Sequence, residues 1–188
     1  MARVPTVAER PEGLVYQDAF LDVDEERSVV SLVEELQFSE VRMHGQPARR
    51  TVVHFGWLYQ YESWKLVPAD PLPEPLRWLC QRAGAFAGTD PELFAEVLVT
   101  RYPPGAGIGW HRDAPMFGPK VVGVSLLSPC AMRFQRRAAD LRRTYRLDLA
   151  PRSAYVLSGA ARWSWQHSIP SAPALRYSIT FRTLKDQR

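Results

Sequence analysis

Cysteine is scarce in this sequence: there are two, Cys80 and Cys130, in 188 residues. They lie far apart among apolar neighbours and make no C-x-x-C pair, so they are expected as buried thiols, not as a metal or redox motif. No apolar run approaches the ~20 residues that a membrane-spanning helix needs. The opening segment MARVPTVAERPEG lacks the apolar stretch of a secretory signal, and a reducing cytoplasmic location is expected. There is no internal repeat and no basic tail. The net charge of +4 is a modest basic bias, which permits a polyanionic partner without requiring one.

The length suits one domain with a sizeable core. Residues 1–13 read as a loose N-terminal arm, and 14–188 as a single domain expected to act as a monomer. Leu14–Phe20 reads as a short strand. Asp22 or Asp24 caps a helix starting near Glu25, with Val29, Leu32, Val33 and Leu36 on one face. Residues 39–50 read as a polar loop. Thr51–Tyr61 is β-branched and aromatic, a strand or hairpin bent at Gly56. A second helix starts at Pro73 and Pro75 and turns Leu76, Leu79, Cys80 and Ala83 inward. From Glu96 onward, short strands are expected over 96–102, 108–111, 121–127, 131–136, 144–148, 153–158, 165–169 and 175–183. This spacing points to a closed or double-sheet antiparallel architecture, α+β overall but mainly β. The stretch Arg133–Arg146 is rich in arginine and reads as a hairpin with a solvated tip.

His111 and Asp113 form an H-x-D pair. Residues i and i+2 of an extended segment share a face, so an imidazole and a carboxylate point into one cavity. His167 stands on a later strand. Two histidines and a carboxylate on one face leave open metal positions, the facial triad of non-heme Fe(II) oxygenases. Taken alone, H-x-D is short enough to arise by chance, and the histidines then read as structural residues that never meet.

Alternation in 175–182 puts Arg176, Ser178, Thr180 and Arg182 on one strand face and Tyr177, Ile179 and Phe181 on the other. Two arginines facing inward would require anions. A dicarboxylate supplies two, and the guanidinium fork suits carboxylates. An edge strand with both arginines in water is the equal alternative. Tyr102, in the Arg101-Tyr102-Pro103-Pro104-Gly105 turn, shares a face with Thr100. It either offers its hydroxyl to the same dicarboxylate or simply ends a strand before a turn.

In their order and spacing, R-Y-x-P-G, H-x-D, the later His and R-x-x-x-x-x-R resemble the AlkB family of Fe(II)/2-oxoglutarate-dependent dioxygenases. The match runs from about Thr100 to Leu184. The stretch PRSAYVLSGAARWSWQHSI is most similar to the branch that includes transfer-RNA wobble-uridine hydroxylases. The resemblance implies a double-stranded β-helix (jelly-roll) core over about 96–184, with supporting N-terminal helices. It implies iron on His111, Asp113 and His167. It also implies 2-oxoglutarate with its distal carboxylate at Arg176 and Tyr102 and its metal-end carboxylate served by Arg182, with O2 as the oxidant. Thr100 and Ser178 stand where the family often has Asn; both are polar and small enough to keep hydrogen-bonding the cosubstrate. Pro115 stands where DNA-repair members have an acidic residue that helps read the damaged base, which puts direct base repair of that kind in doubt.

The expected activity is demethylation or hydroxylation of alkylated or modified bases in DNA or RNA. The alternative is the same chemistry on a protein side chain or small molecule. A metal-binding module without turnover would leave the two arginines unexplained, as would a Zn(II) hydrolase, for which no general base is evident. Substrate recognition is expected in a lid over about 39–62. There Arg49, Arg50, His54, Trp57, Tyr59 and Tyr61 mix basic and aromatic side chains suited to phosphate contact and base stacking. Trp165, just ahead of His167, is a candidate wall of the substrate cavity.

Overall fold

Alternation along the last strand divides the molecule. Tyr177, Ile179 and Phe181 enter an apolar core on one side, while Arg176, Ser178, Thr180 and Arg182 face a cavity on the other. The two-residue period of a strand requires this split, and the sequence predicts the same two sets.

The computed structural model describes residues 5–43, 46–60, 65–138 and 140–185. Its first strands are β1 (Thr6–Ala8), β2 (Leu14–Gln17), β3 (Ser39–Met43), β4 (Gln46–Gln60) and β5 (Lys65–Pro68). The later strands are β6 (Phe94–Tyr102), β7 (Ile108–His111), β8 (Phe117–Leu126), β9 (Cys130–Ala138), β10 (Leu141–Leu149), β11 (Ala154–Leu157), β12 (Gln166–Ile169) and β13 (Arg176–Leu184). The α-helices are α1 (Val23–Glu34), α2 (Arg77–Ala87) and α3 (Gly159–Trp163). One sheet runs β2-β11-β8-β13-β6-β4-β3, with β5 on β4, and the other runs β1-β10-β9-β12-β7. From β6 the chain passes back and forth between the sheets, winding the double-stranded β-helix of a jelly roll.

Two apolar layers hold this frame. The outer face of the larger sheet packs Val97, Val99, Val122, Val124 and Ile179 against Val29, Val33, Leu79 and Ala83 of α1 and α2. A second layer lies between the sheets, where Met132, Phe134, Leu149, Leu157 and Trp165 meet. Asp22 is the residue that caps α1. Its Oδ1 accepts from Glu25 N–H at 2.8 Å, and Glu25 Oε2 accepts from Asp22 N–H at 2.9 Å, a reciprocal capping box. Glu25 also accepts from Arg82 Nη1 at 2.7 Å, tying α1 to α2. No helix among the described residues is long and apolar enough to cross a membrane.

Three local readings change. Residues 39–43 and 46–50 of the polar segment are strand, not loop: β3 pairs antiparallel with β4 at the sheet edge. An edge strand can keep its polar side chains in water while the ladder satisfies its backbone, so tertiary pairing overrides weak propensity. The N-terminal arm is docked by β1, parallel to β10. Glu9 then accepts from Arg143 Nη1 at 2.9 Å and reaches Arg136 at 3.5 Å, so part of the arginine-rich hairpin is neutralised internally. Both cysteines are free and half-buried, not fully buried. The bend at Gly56 is present, with φ +78° and Ala95 O only 2.3 Å from where a Cβ would sit.

Gly123 gives a further close approach. It lies opposite Tyr155 in the β8–β11 ladder, and a Cβ there would stand 2.2 Å from Tyr155 Cζ. Gly123→Ala is therefore expected to push the Tyr155 ring out of place and to destabilise the fold by about 1–3 kcal/mol. A lower urea midpoint at unchanged m would register this, and an unaltered midpoint would mean the ring yields without cost.

Candidate active site

A cavity of about 550 Å³ opens between the two sheets. His111 closes β7 and His167 lies on β12, directly across the ladder from it. Their ring centroids are 4.2 Å apart in an edge-on arrangement. Asp113 follows just beyond the end of β7, with Oδ2 at 3.8 Å from His167 Nε2. The three side chains that the sequence singles out for a metal thus converge on one wall. His111 Nδ1 stands 2.9 Å from Gly109 O. A carbonyl only accepts, so Nδ1 carries the hydrogen and Nε2 keeps its lone pair for a metal.

Burial controls the charge states. It lowers the His167 pKa to about 3, with His111 and Arg182 adding to the effect and Asp113 opposing it. Burial lowers His111 as well, against the pull of Asp113. Burial alone would raise Asp113, but Arg182 and the two histidines outweigh it and hold the carboxyl well below the usual range. The 3.8 Å approach of His167 to Asp113 is accordingly not an ion pair. Two neutral imidazoles and one carboxylate are the protonation states that metal ligation needs. Among the described residues, no three His, Cys, Asp or Glu side chains are set as a finished ion cage. Asp113 Oδ1 is engaged by Arg182 Nε at 2.8 Å.

Arg176 is wholly buried on the cavity wall. Its Nη2 donates to Ser125 Oγ at 3.1 Å, and its guanidinium lies 4.7 Å from the Tyr102 ring centroid. Nε and Nη1 have no hydrogen-bond partner among the described residues. A buried cation with two idle N–H groups is costly, and a carboxylate entering the cavity fits that need. Tyr102 and Thr100 stand across the β13–β6 ladder from Arg176 and Ser178, and all four line the cavity. The donor set therefore fits an ion on one wall and a dicarboxylate beside it.

Other expected residues separate. Arg50 and His54 line the cavity, with Val52 and Leu58. Arg49 and Trp57 do not; the Arg49 guanidinium lies against Gly105, and Trp57 is exposed. The Tyr59 side chain and all of Tyr61 lie outside the described residues. Trp165 is buried in the layer between the sheets, beneath Arg136 and off the cavity wall, because this large ring fills the inter-sheet space.

Several residues of the site escape the sequence reading. Glu96 is buried and lines the cavity. It shares the alternation of Leu98, Thr100 and Tyr102, a signal that could have found it. Tyr155 lines the cavity too, and burial raises its pKa. Arg162 carries no sequence signal at all. Buried in α3, it donates to Gly118 O at 3.1 Å, Asp113 O at 3.2 Å, Ala114 O at 2.9 Å and Phe117 O at 2.9 Å. One guanidinium thus holds the whole loop from Asp113 to Gly118.

Residues 18–182 match the model of the 2OG-Fe(II) oxygenase superfamily. The chain is 25% identical over 166 residues to the tRNA (carboxymethyluridine(34)-5-O)-methyltransferase alkbh8 of Xenopus tropicalis, covering 85% of this chain and a quarter (25%) of that protein. It is 29% identical over 149 residues to the alpha-ketoglutarate-dependent dioxygenase AlkB of Escherichia coli K12, covering 69% of this chain and 67% of the relative. The solved structure of OsALKBH1 superposes with a TM-score of 0.69 at 17% identity, covering 93% of this chain and 98% of that one, a likeness of fold.

The Arg162 contacts have a measurable consequence. Arg162→Met keeps bulk but removes every donor, so four carbonyls lose the guanidinium, and Ala114 O keeps the Phe117 N–H at 3.1 Å. We expect a loss of more than about 3 kcal/mol of stability, seen as a lower thermal midpoint. A loss within about 0.5 kcal/mol, as at an ordinary surface site, would show that the loop holds itself.

Proposed function

The chain belongs to the 2OG-Fe(II) oxygenase superfamily, and on that basis we propose that it oxidises modified bases in nucleic acid, with iron on His111, Asp113 and His167. It is an AlkB-like enzyme. The observation that carries the assignment is the pair of idle N–H groups on buried Arg176, in the same cavity as two neutral imidazoles and a carboxylate. Arg176 and the Tyr102 hydroxyl would take the distal carboxylate of 2-oxoglutarate. Thr100 and Ser178 would supply polar contacts along its length. Arg182, beside Asp113, would serve the carboxylate at the metal end. When bound, iron and 2-oxoglutarate supply oxidation of a C–H bond by O2, with succinate and carbon dioxide as the other products.

The chain's own residues do the positioning. Gly109 O orients His111 and keeps Nε2 available. Arg162 holds the loop that carries Asp113. Phe117, Met132, Leu149 and Ile169 give the cavity apolar walls. Arg50 and His54 add polar groups suited to a phosphate or a base. The transfer-RNA modification in the name of the Xenopus relative supports a nucleic-acid substrate, and the net charge of +4 is compatible with one.

Mass spectrometry of modified DNA and RNA oligonucleotides, incubated with protein, Fe(II), ascorbate and 2-oxoglutarate, tests this reading. Loss of a methyl mass or gain of one oxygen is the expected outcome. Succinate formed while every oligonucleotide stayed intact would redirect the search to proteins and small molecules. Asp113→Ala is expected to reduce succinate formation to background; persistent turnover would overturn the iron site. Arg176→Ala should raise the KM for 2-oxoglutarate by about 10- to 100-fold, the worth of a charge-assisted contact, and an unaltered KM would remove Arg176 from the cosubstrate site.

A further inference from the structure

His54 and Glu96 are adjacent on the cavity wall. They come from neighbouring antiparallel strands, β4 and β6, in which Leu98 faces His54 and Glu96 faces Gly56. The two side chains are therefore diagonal neighbours on one sheet face. Glu96 is buried, and both of its oxygens are used. Oε2 accepts from Arg182 Nη1 at 2.6 Å, and Oε1 lies 2.9 Å from His54 Nδ1. A carboxylate takes part in such a bond as the acceptor, so His54 Nδ1 carries the hydrogen. In a neutral imidazole the lone pair then resides on Nε2. His54 keeps partial solvent access, with 21% of its side chain exposed.

A buried carboxylate needs a donor on each oxygen, and on Glu96 Arg182 supplies one and the His54 imidazole the other. Asp113 also meets the same guanidinium at 2.7 Å. The second bond orients the His54 ring and selects its tautomer, the role that a carboxylate behind a histidine plays wherever one ring nitrogen must present a defined face.

We propose that His54 is a specificity-determining residue whose Nε2 accepts a hydrogen bond from an N–H on the edge of the substrate base, and that Glu96 is the positioning residue behind it. The inference rests on the nucleic-acid reading above and sharpens it: the favoured base keeps an edge N–H donor beside the group to be oxidised. A base methylated at that nitrogen has no hydrogen to give and leaves Nε2 unsatisfied.

The experiment compares two oligonucleotides that carry the same oxidisable modification, one base with its edge N–H intact and one N-methylated there. The wild-type protein is expected to prefer the first by about tenfold in KM, the worth of one hydrogen bond to a polar site. His54→Ala should erase the preference. His54→Gln, which restores an acceptor oxygen, should recover most of it and guards against a merely structural defect. Long-range 1H–15N spectra of the wild-type ring should show hydrogen on Nδ1. A ring protonated on Nε2 alone, or a preference that survives in His54→Ala, would overturn the assignment. The two readings fail differently. Oxidation of both oligonucleotides without preference by the wild type removes the His54 subsite alone. A wild type that forms succinate yet oxidises neither of these nor any other modified DNA or RNA oligonucleotide removes the nucleic-acid substrate and this subsite with it.

Discussion

One largely buried guanidinium, with 12% of its side chain exposed, organises the cavity. Arg182 reaches Asp113 with Nε and Nη2 and Glu96 with Nη1. A cation taken out of water must be met by anions in good geometry, because an unmatched buried charge costs several kcal/mol, about 3–5. The demand is met from two elements. Glu96 lies directly across the β13–β6 ladder from Arg182, and Asp113 is brought from the loop after β7. Each carboxylate is thereby held where its second oxygen has a defined neighbour, His54 for Glu96 and His167 for Asp113. The candidate metal wall and the polar far wall are thus two ends of one electrostatic chain.

A second guanidinium does for the backbone what Arg182 does for the side chains. Arg162 spends its donors on four carbonyls of the Asp113–Gly118 turn. Carbonyls withdrawn from water need donors as much as buried charges need partners. The loop that presents Asp113 is therefore pinned from behind. The larger sheet is backed by α1 and α2, so the strands that carry Arg176 and Arg182 rest on a close-packed layer that resists displacement.

Much of this was legible in the residue order. The alternation in 175–182 separates the core side chains from the cavity side chains, because strand geometry leaves no third option. The H-x-D pair and His167 were recognisable as candidate ligands by type and spacing, and the cavity gathers all three. The polar segment 39–50 carries no clear period, as an edge strand need not, and the pairing of β3 with β4 is a tertiary choice. The expected set around β4 divides. Residue type suggested that Arg49 and Trp57 act together with Arg50 and His54, but only the latter two reach the cavity.

The sequence alone determined which residues could do chemistry and which strand faces they share, because ligand type and two-residue alternation are local properties. Only the tertiary structure decided which of those residues meet. That His167 stands opposite His111 depends on β12 pairing with β7. That Glu96 lines the cavity depends on β6 lying between β13 and β4. That Arg162 serves the Asp113 loop depends on α3 packing against that turn. The physical reason is the same in each case. A buried charge or polar group is satisfied by whatever the fold brings within about 3 Å, and those partners lie tens of residues away in the chain.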